Sequence, residues 1–233
     1  EASLVSTGTE RAVVDLGRKS LLEKVIARPD LARRVIEKAR RDGVAAAIDT
    51  VSQKLNRTIP LGYSTAGLVI EVAPDVIGYR RGQRVACAGA GYANHAETNF
   101  VPKNLVTPVP DILTPHAACY VGVGAVAMHA VRNPEPQLGE LVAVLGLGLI
   151  GQLVVQLLIA NGCRVIGVDV IDERLRRAQE AGAEAVTPPG DGQLEAAVAR
   201  ASGGIGADAV IIAAASSDSV PVQTAGRIAR DRA

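Results

Sequence analysis

The sequence has 233 residues, with 25 Lys/Arg against 24 Asp/Glu, 48% hydrophobic residues, 2% aromatic residues and no Trp. That is an ordinary globular composition, long enough to bury a sizeable core as one large or two small domains. A net charge of +1 and the dearth of aromatics exclude a nucleic-acid role built on charge or base stacking.

The chain begins at Glu1, without Met, on what reads as a strand running into a turn over Ala2–Arg11. From Arg18 to Arg57 the pattern is helical and basic, with eleven Lys/Arg against five Asp/Glu. Two readings of this insert stay open: a solvated amphipathic hairpin, or a lid or docking surface for an anionic substrate or partner domain. A β-rich stretch follows. Strands are expected at Ser64–Val72, with Gly67 permitting a bulge or close approach, at Arg84–Ala88 and near Ala96–Val101. Short strands between Gly/Pro turns suggest a small antiparallel barrel. An apolar helix is expected from about Pro115 to Val131. Cys87, Cys119 and Cys163 form no C-x-x-C pair and read as small hydrophobes of a reducing compartment. No apolar run is long enough to span a bilayer, and no signal peptide is evident. A cytoplasmic protein without a membrane partner is the expectation.

The most informative stretch is Gly139–Asp169, GELVAVLGLGLIGQLVVQLLIANGCRVIGVD. An apolar strand over Leu141–Leu145 leads into Gly146, Gly148 and Gly151 in G-x-G-x-x-G spacing. A helix over Leu149–Ala160 stops at Asn161-Gly162, and a second strand, Cys163–Val168, ends on Asp169. Gly146 suits a tight turn, Gly148 a close approach of backbone to pyrophosphate, and Gly151 the packing of helix on strand. The helix N-terminus at Leu149 and Ile150 offers N–H groups to phosphate. Asp169 can accept the adenosine ribose hydroxyls and repel a 2′-phosphate, which favours NAD(H). Arg174 would lie in the adenine surroundings. Beyond it Asp172 is expected to cap a helix over Glu173–Ala181, followed by a strand at Ala185–Thr187, a helix at Gln193–Ala201 and a strand at Ala207–Ala213. Small residues there, Ala213 and Ala214, would face the cofactor crevice. Alternating strands and helices specify a doubly wound parallel sheet of the Rossmann type. Four strands where a full domain uses six suggest a piece of a longer protein.

Taken together, SLVSTGTER, LGYSTAGLVIEV, GQRVACAGAGYANHAE, LGLGLIGQL and the LGRKSLLEK-containing insert resemble the medium-chain dehydrogenase/reductase superfamily, the zinc alcohol dehydrogenase fold. The detail is similar to a zinc-lacking branch often fused to a Gfo/Idh/MocA-type oxidoreductase domain. The resemblance implies a GroES-like β barrel with a helical insertion over residues 1–114 and an incomplete Rossmann domain over residues 115–233. It also implies a fused oxidoreductase domain and homodimerisation in the intact protein. The superfamily's zinc ligands fall at Ser6, Tyr63 and near Val123, which supply no adequate donor set. No metal is therefore expected. His116 and Cys119 are spaced i, i+3 but lack further donors.

Without zinc, hydride transfer rests on positioning and a proton donor. The resemblance makes Tyr63 and Glu10 the candidates. Each also has a structural reading, Tyr63 as a plug of the vacated metal pocket and Glu10 as a brace of the turn. His95 could line the cleft or be a hydrogen-bonded loop histidine. The expected activity is NAD-dependent transfer of a hydride to or from a small carbonyl or alcohol substrate in an interdomain cleft. Alternatives are a quinone or enoyl reductase, which usually takes NADPH, and a non-catalytic NAD-binding module supporting a fused domain.

Overall fold

The computed structural model describes residues 1–18, 60–187, 192–216 and 218–231. Apart from Arg18, the basic insert expected over 18–57 lies outside the described residues or ends at their edge. The chain divides into two compact units, Glu1–Val121 and Gly122–Ala233.

In the first unit, β1 (Ala2–Ser3), β2 (Ser64–Leu68), β3 (Arg84–Ala88) and β4 (Val106–Pro108) form an antiparallel sheet in that order. β2 and β3 stay in register from Ser64 opposite Ala88 to Leu68 opposite Arg84. Gly67 therefore makes no bulge. A Cβ there would stand 3.5 Å from the Glu1 backbone nitrogen, an ordinary contact, so neither a bulge nor a close approach requires glycine at this position. β2 ends at Leu68 rather than Val72, because Val69 turns its N–H to Gln83 and its carbonyl to Gly82.

The expectation for Ala2–Arg11 needs correcting, since only Ala2–Ser3 is strand and Thr7–Arg18 is helix α1. The Glu10 carboxylate accepts the Ser6 N–H at 2.9 Å and satisfies a donor left free at the helix start. No strand forms at 96–101. Asn94 and Asn99 bond each other across a loop through backbone and amide groups, each at 3.1 Å, and Val106–Pro108 takes the edge of β3. The helix expected as one piece is two, α2 (Pro115–Ala118) and α3 (Val121–Arg132). At the break, the Cys119 carbonyl accepts a 2.6 Å hydrogen bond from the buried Ser64 hydroxyl.

The second unit is a parallel sheet in the order β7 (Ala185–Thr187), β6 (Arg164–Val168), β5 (Leu141–Leu145), β8 (Ala209–Ile212). Strand β5 is buried along its whole length, as a central strand covered on both faces must be. Its side chains alternate. Val142 and Val144 pack with Val154, Val155 and Leu158 of α4 (Leu149–Ala160) and Ala178 of α5 (Asp172–Glu180). Leu141, Ala143 and Leu145 face the other way, towards Leu194 and Val198 of α6 (Gln193–Ser202) and Ile228 of α7 (Val220–Ile228). This is the doubly wound α/β arrangement expected from the sequence. Some bounds differ: β6 starts at Arg164 rather than Cys163, β8 covers Ala209–Ile212 rather than Ala207–Ala213, and Asp172 is the first residue of α5, with Ile171 at the cap position. No helix among the described residues is long and apolar enough to cross a membrane.

On α5, Glu173 accepts hydrogen bonds from Arg176 and Arg177, which hold its carboxyl near pKa 2 instead of 4.5. A depressed folded pKa contributes stability that is complete above the unfolded value and is lost as pH falls through the folded one. Thermal unfolding should therefore show Glu173→Gln melting below wild type at neutral pH. The gap should close as pH falls from 4.5 to 2, and should narrow with added salt because the cluster is exposed.

Candidate dinucleotide-binding site

β5 delivers the chain at Leu145 into the glycine turn. Gly146 has φ +95°, and a Cβ there would stand 2.6 Å from Ala214 N and 2.7 Å from Ala214 Cα. Only glycine satisfies both the left-handed backbone and the approach of the chain segment that follows β8. A side chain at Gly151 would collide with the carbonyl oxygen of Gly146, so its absence seats the first turn of α4 on the loop. Gly148 differs from both: it is the N-cap of α4 and a Cβ there would meet nothing within 4 Å. No side chain caps the helix, and its first i to i−4 bond runs from Gln152 N–H to the Gly148 carbonyl. The N–H groups of Leu149, Ile150 and Gly151 precede that bond. Open space over Gly148, donors unclaimed among the described residues and the positive end of the helix dipole fit a pyrophosphate. Half-buried Ala213 donates its N–H to Leu145 and exposed Ala214 flanks the turn, so both stand beside the loop.

At the end of β6, Asp169 is buried, with 7% of its surface exposed. Its Oδ2 accepts the Leu147 N–H at 2.8 Å and its Oδ1 the Ile171 N–H at 3.0 Å. Nη1 of Arg174 lies 3.2 Å from Oδ2. The carboxylate thus ties the glycine turn, the end of β6 and the start of α5 together. Gln152 strengthens the same junction, its amide donating to the Leu147 carbonyl at 3.2 Å and the Arg174 carbonyl at 2.7 Å.

A nucleotide fold with this turn has relatives that can be named. The family described as zinc-binding dehydrogenase matches residues 150–228. The (R,R)-butanediol dehydrogenase of Bacillus subtilis is 29% identical over 186 residues, covering 67% of this chain and 53% of that protein. The D-guloside 3-dehydrogenase of Escherichia coli is 33% identical over 156 residues, covering 65% and 43%. A mycobacterial protein solved in complex with NADPH superposes with a TM-score of 0.57 at 30% identity, over 68% of this chain and 52% of its own. The chain belongs to the medium-chain dehydrogenase/reductase superfamily. It spans about half the length of the curated relatives it matches.

Within that superfamily, the metal-ligand positions matter for the first unit. Ser6 is buried and its hydroxyl bonds Thr9 at 3.3 Å. Tyr63 is half-buried, its carbonyl accepts the Gly89 N–H, and its hydroxyl makes no hydrogen bond among the described residues. Val123 is buried in α3. The Cys119 thiol donates to the His116 carbonyl, and burial raises its pKa above the usual value. No group of three or more His, Cys, Asp or Glu able to hold a metal occurs among the described residues.

Glu10 is on α1 and not in a turn. Both its oxygens lie 3.1 Å from His95 Nε2, and His95 Nδ1 lies 2.9 Å from the Ser3 hydroxyl. The structure joins Glu10 to His95 but joins neither to Tyr63 by a hydrogen bond. The partners of Asp169 and the Gln152 brace escaped the sequence, although Gln152 directly follows the third glycine.

The three glycines should separate in mutagenesis. Gly151→Ala is expected to cost about 3 kcal/mol of stability through overpacking, read by denaturant unfolding. Gly148→Ala should unfold like wild type yet bind dinucleotide at least about tenfold more weakly, because its methyl occupies the phosphate space.

Proposed function

We propose that this chain is part of a zinc-independent, NAD(H)-dependent oxidoreductase that moves a hydride between the nicotinamide and a carbonyl or alcohol substrate. The observation that carries this reading is the bare N-terminus of α4 over Gly148, with a carboxylate, Asp169, at the end of the adjoining strand. A bound nicotinamide dinucleotide would supply the hydride acceptor or donor. Leu149, Ile150 and Gly151 would hold the pyrophosphate through backbone N–H groups, and Gly146 and Ala214 would keep the turn in shape. Asp169 and Arg174 would meet the adenosine ribose. The proton that balances hydride transfer falls to a residue of the first unit. Glu10 and Tyr63 are the candidates, one an acceptor fixed by Ser6 and His95, the other a hydroxyl with no competing partner among the described residues.

A second reading is a reductase that takes NADPH. It is favoured by the relative solved with that dinucleotide at 30% identity.

Titration with NADH and NADPH, followed by nicotinamide fluorescence, tests the reading, and the absence of Trp leaves protein emission weak. Tighter binding of NADH is expected, and NADPH binding more tightly would replace the first reading with the second. For turnover, Glu10→Gln and Tyr63→Phe should each lower kcat with short-chain alcohols or ketones by about 100-fold if the residue handles the proton. A residue that only braces its turn should leave kcat within about threefold of wild type.

A further inference from the structure

In the first unit, three side chains from separate elements meet in one line. His95 Nδ1 lies 2.9 Å from the Ser3 hydroxyl of β1, and Nε2 lies 3.1 Å from both carboxylate oxygens of Glu10 on α1. Glu10 also accepts the Ser6 N–H, so the carboxylate is anchored to the backbone as well as to the ring. The backbone of His95 is fixed too. Its N–H donates to the Leu61 carbonyl at 2.8 Å, and a Cβ at Gly62 would stand 2.6 Å from that nitrogen. Gly62, at φ +93°, is what lets the loop come so near.

The donor and acceptor inventory sets the direction of the line. An ionised carboxylate only accepts, so Nε2 carries the hydrogen and donates to Glu10. A neutral imidazole then presents its lone pair at Nδ1, and the Ser3 hydroxyl donates to it. A hydroxyl on a base, with the base oriented by a carboxylate, is the arrangement that activates serine for attack on a carbonyl. Access is open at the serine: Ser3 is exposed, while the side chains of His95 and Glu10 are 24% and 13% exposed. Strand register adds a donor. The Leu4 N–H bonds the Ser64 carbonyl, so Ala2 and Leu4 face β2 and Ser3 between them turns its N–H to the other side, an open edge of the sheet among the described residues. That N–H is available to an oxyanion formed on the same residue's Oγ. Ser3 and His95 also line a cavity of about 780 Å³, whose walls include Val85, Val101, Val106 and Phe100. Its size and apolar walls suit a small organic ligand.

We propose that Ser3, His95 and Glu10 form a hydrolytic site that cleaves esters of apolar carboxylic acids. Ser3 Oγ forms a bond to the ester carbon as its proton passes to His95 Nδ1, and Glu10 stabilises the imidazolium. When the tetrahedral intermediate collapses, the bond to the alkoxy oxygen breaks and His95 gives its proton to the departing alcohol. A water molecule, deprotonated by the same ring, then attacks the acyl-serine. The carboxylic acid leaves and Ser3 regains its proton. Water is the only co-reactant and nothing is oxidised, so the site works independently of any dinucleotide.

The test applies an alkyl fluorophosphonate, which phosphonylates activated serines, to the full 233-residue chain and locates the label by peptide mass mapping. Hydrolysis of p-nitrophenyl butyrate reports turnover. Wild type should carry the label on Ser3 and cleave the ester above the buffer rate. Ser3→Ala should lose both, and His95→Gln should slow both at least about 100-fold, with circular dichroism unchanged in each. The label is read on wild type, so a variant that fails to fold does not decide the outcome. Wild type left unlabelled at Ser3, or a folded Ser3→Ala that hydrolyses as fast as wild type, overturns the proposal. Either result leaves dinucleotide binding, titrated separately, unaffected.

Discussion

The contact on which the nucleotide unit depends is the seat of α4 against the glycine turn. A helix can approach a strand end this closely only if position 151 has no side chain to meet the Gly146 carbonyl. That seat aims the helix axis and its unbonded N–H groups over Gly148. From it follow the burial of Leu147, Val154, Val155 and Leu158 beneath the helix and the course of the chain into β6. The apolar core and the proposed phosphate site are thus two faces of one packing decision. The helix that buries three large side chains against β5 is also the helix whose start faces outwards.

Polar groups fix what packing leaves undetermined. A strand end and a glycine loop have many ways to separate, and here a single buried carboxylate holds them at three donors. A similar device appears in the first unit, where Glu10 joins the start of α1 to His95 and His95 reaches Ser3. In both, a carboxylate takes a backbone N–H and a cationic or imidazole side chain at once. Each time, the fixed backbone donors offset part of the cost of burying the charge.

What could be read from the sequence was local. Leu141–Leu145, Leu149–Ala160 and Ala185–Thr187 have the boundaries that their apolar runs and flanking glycines specify. The glycine triplet announced three separate jobs, and the two that are steric within the chain, at Gly146 and Gly151, are visible around the turn. The misread segments depend on partners far away in the chain. Ser64 breaks a helix 55 residues later, and Val106 rather than Ala96 completes a ladder with β3. The short α1 was hidden because its start is stabilised by a side chain that also looks like a turn residue. At the candidate site, the identity of Asp169 was legible but its partners were not. A carboxylate's place in sequence says what it can accept, and only the fold says which donors reach it.

The Leu147–Asp169 bond also bears on association. A loop shaped by its own helix, strand and carboxylate has already lost its conformational freedom when the chain folds. Less ordering of that segment is then left to weigh against affinity for the proposed ligand. Encounter with a dinucleotide becomes a matter of diffusion and orientation, with the slow step left to whatever must move elsewhere in the whole protein.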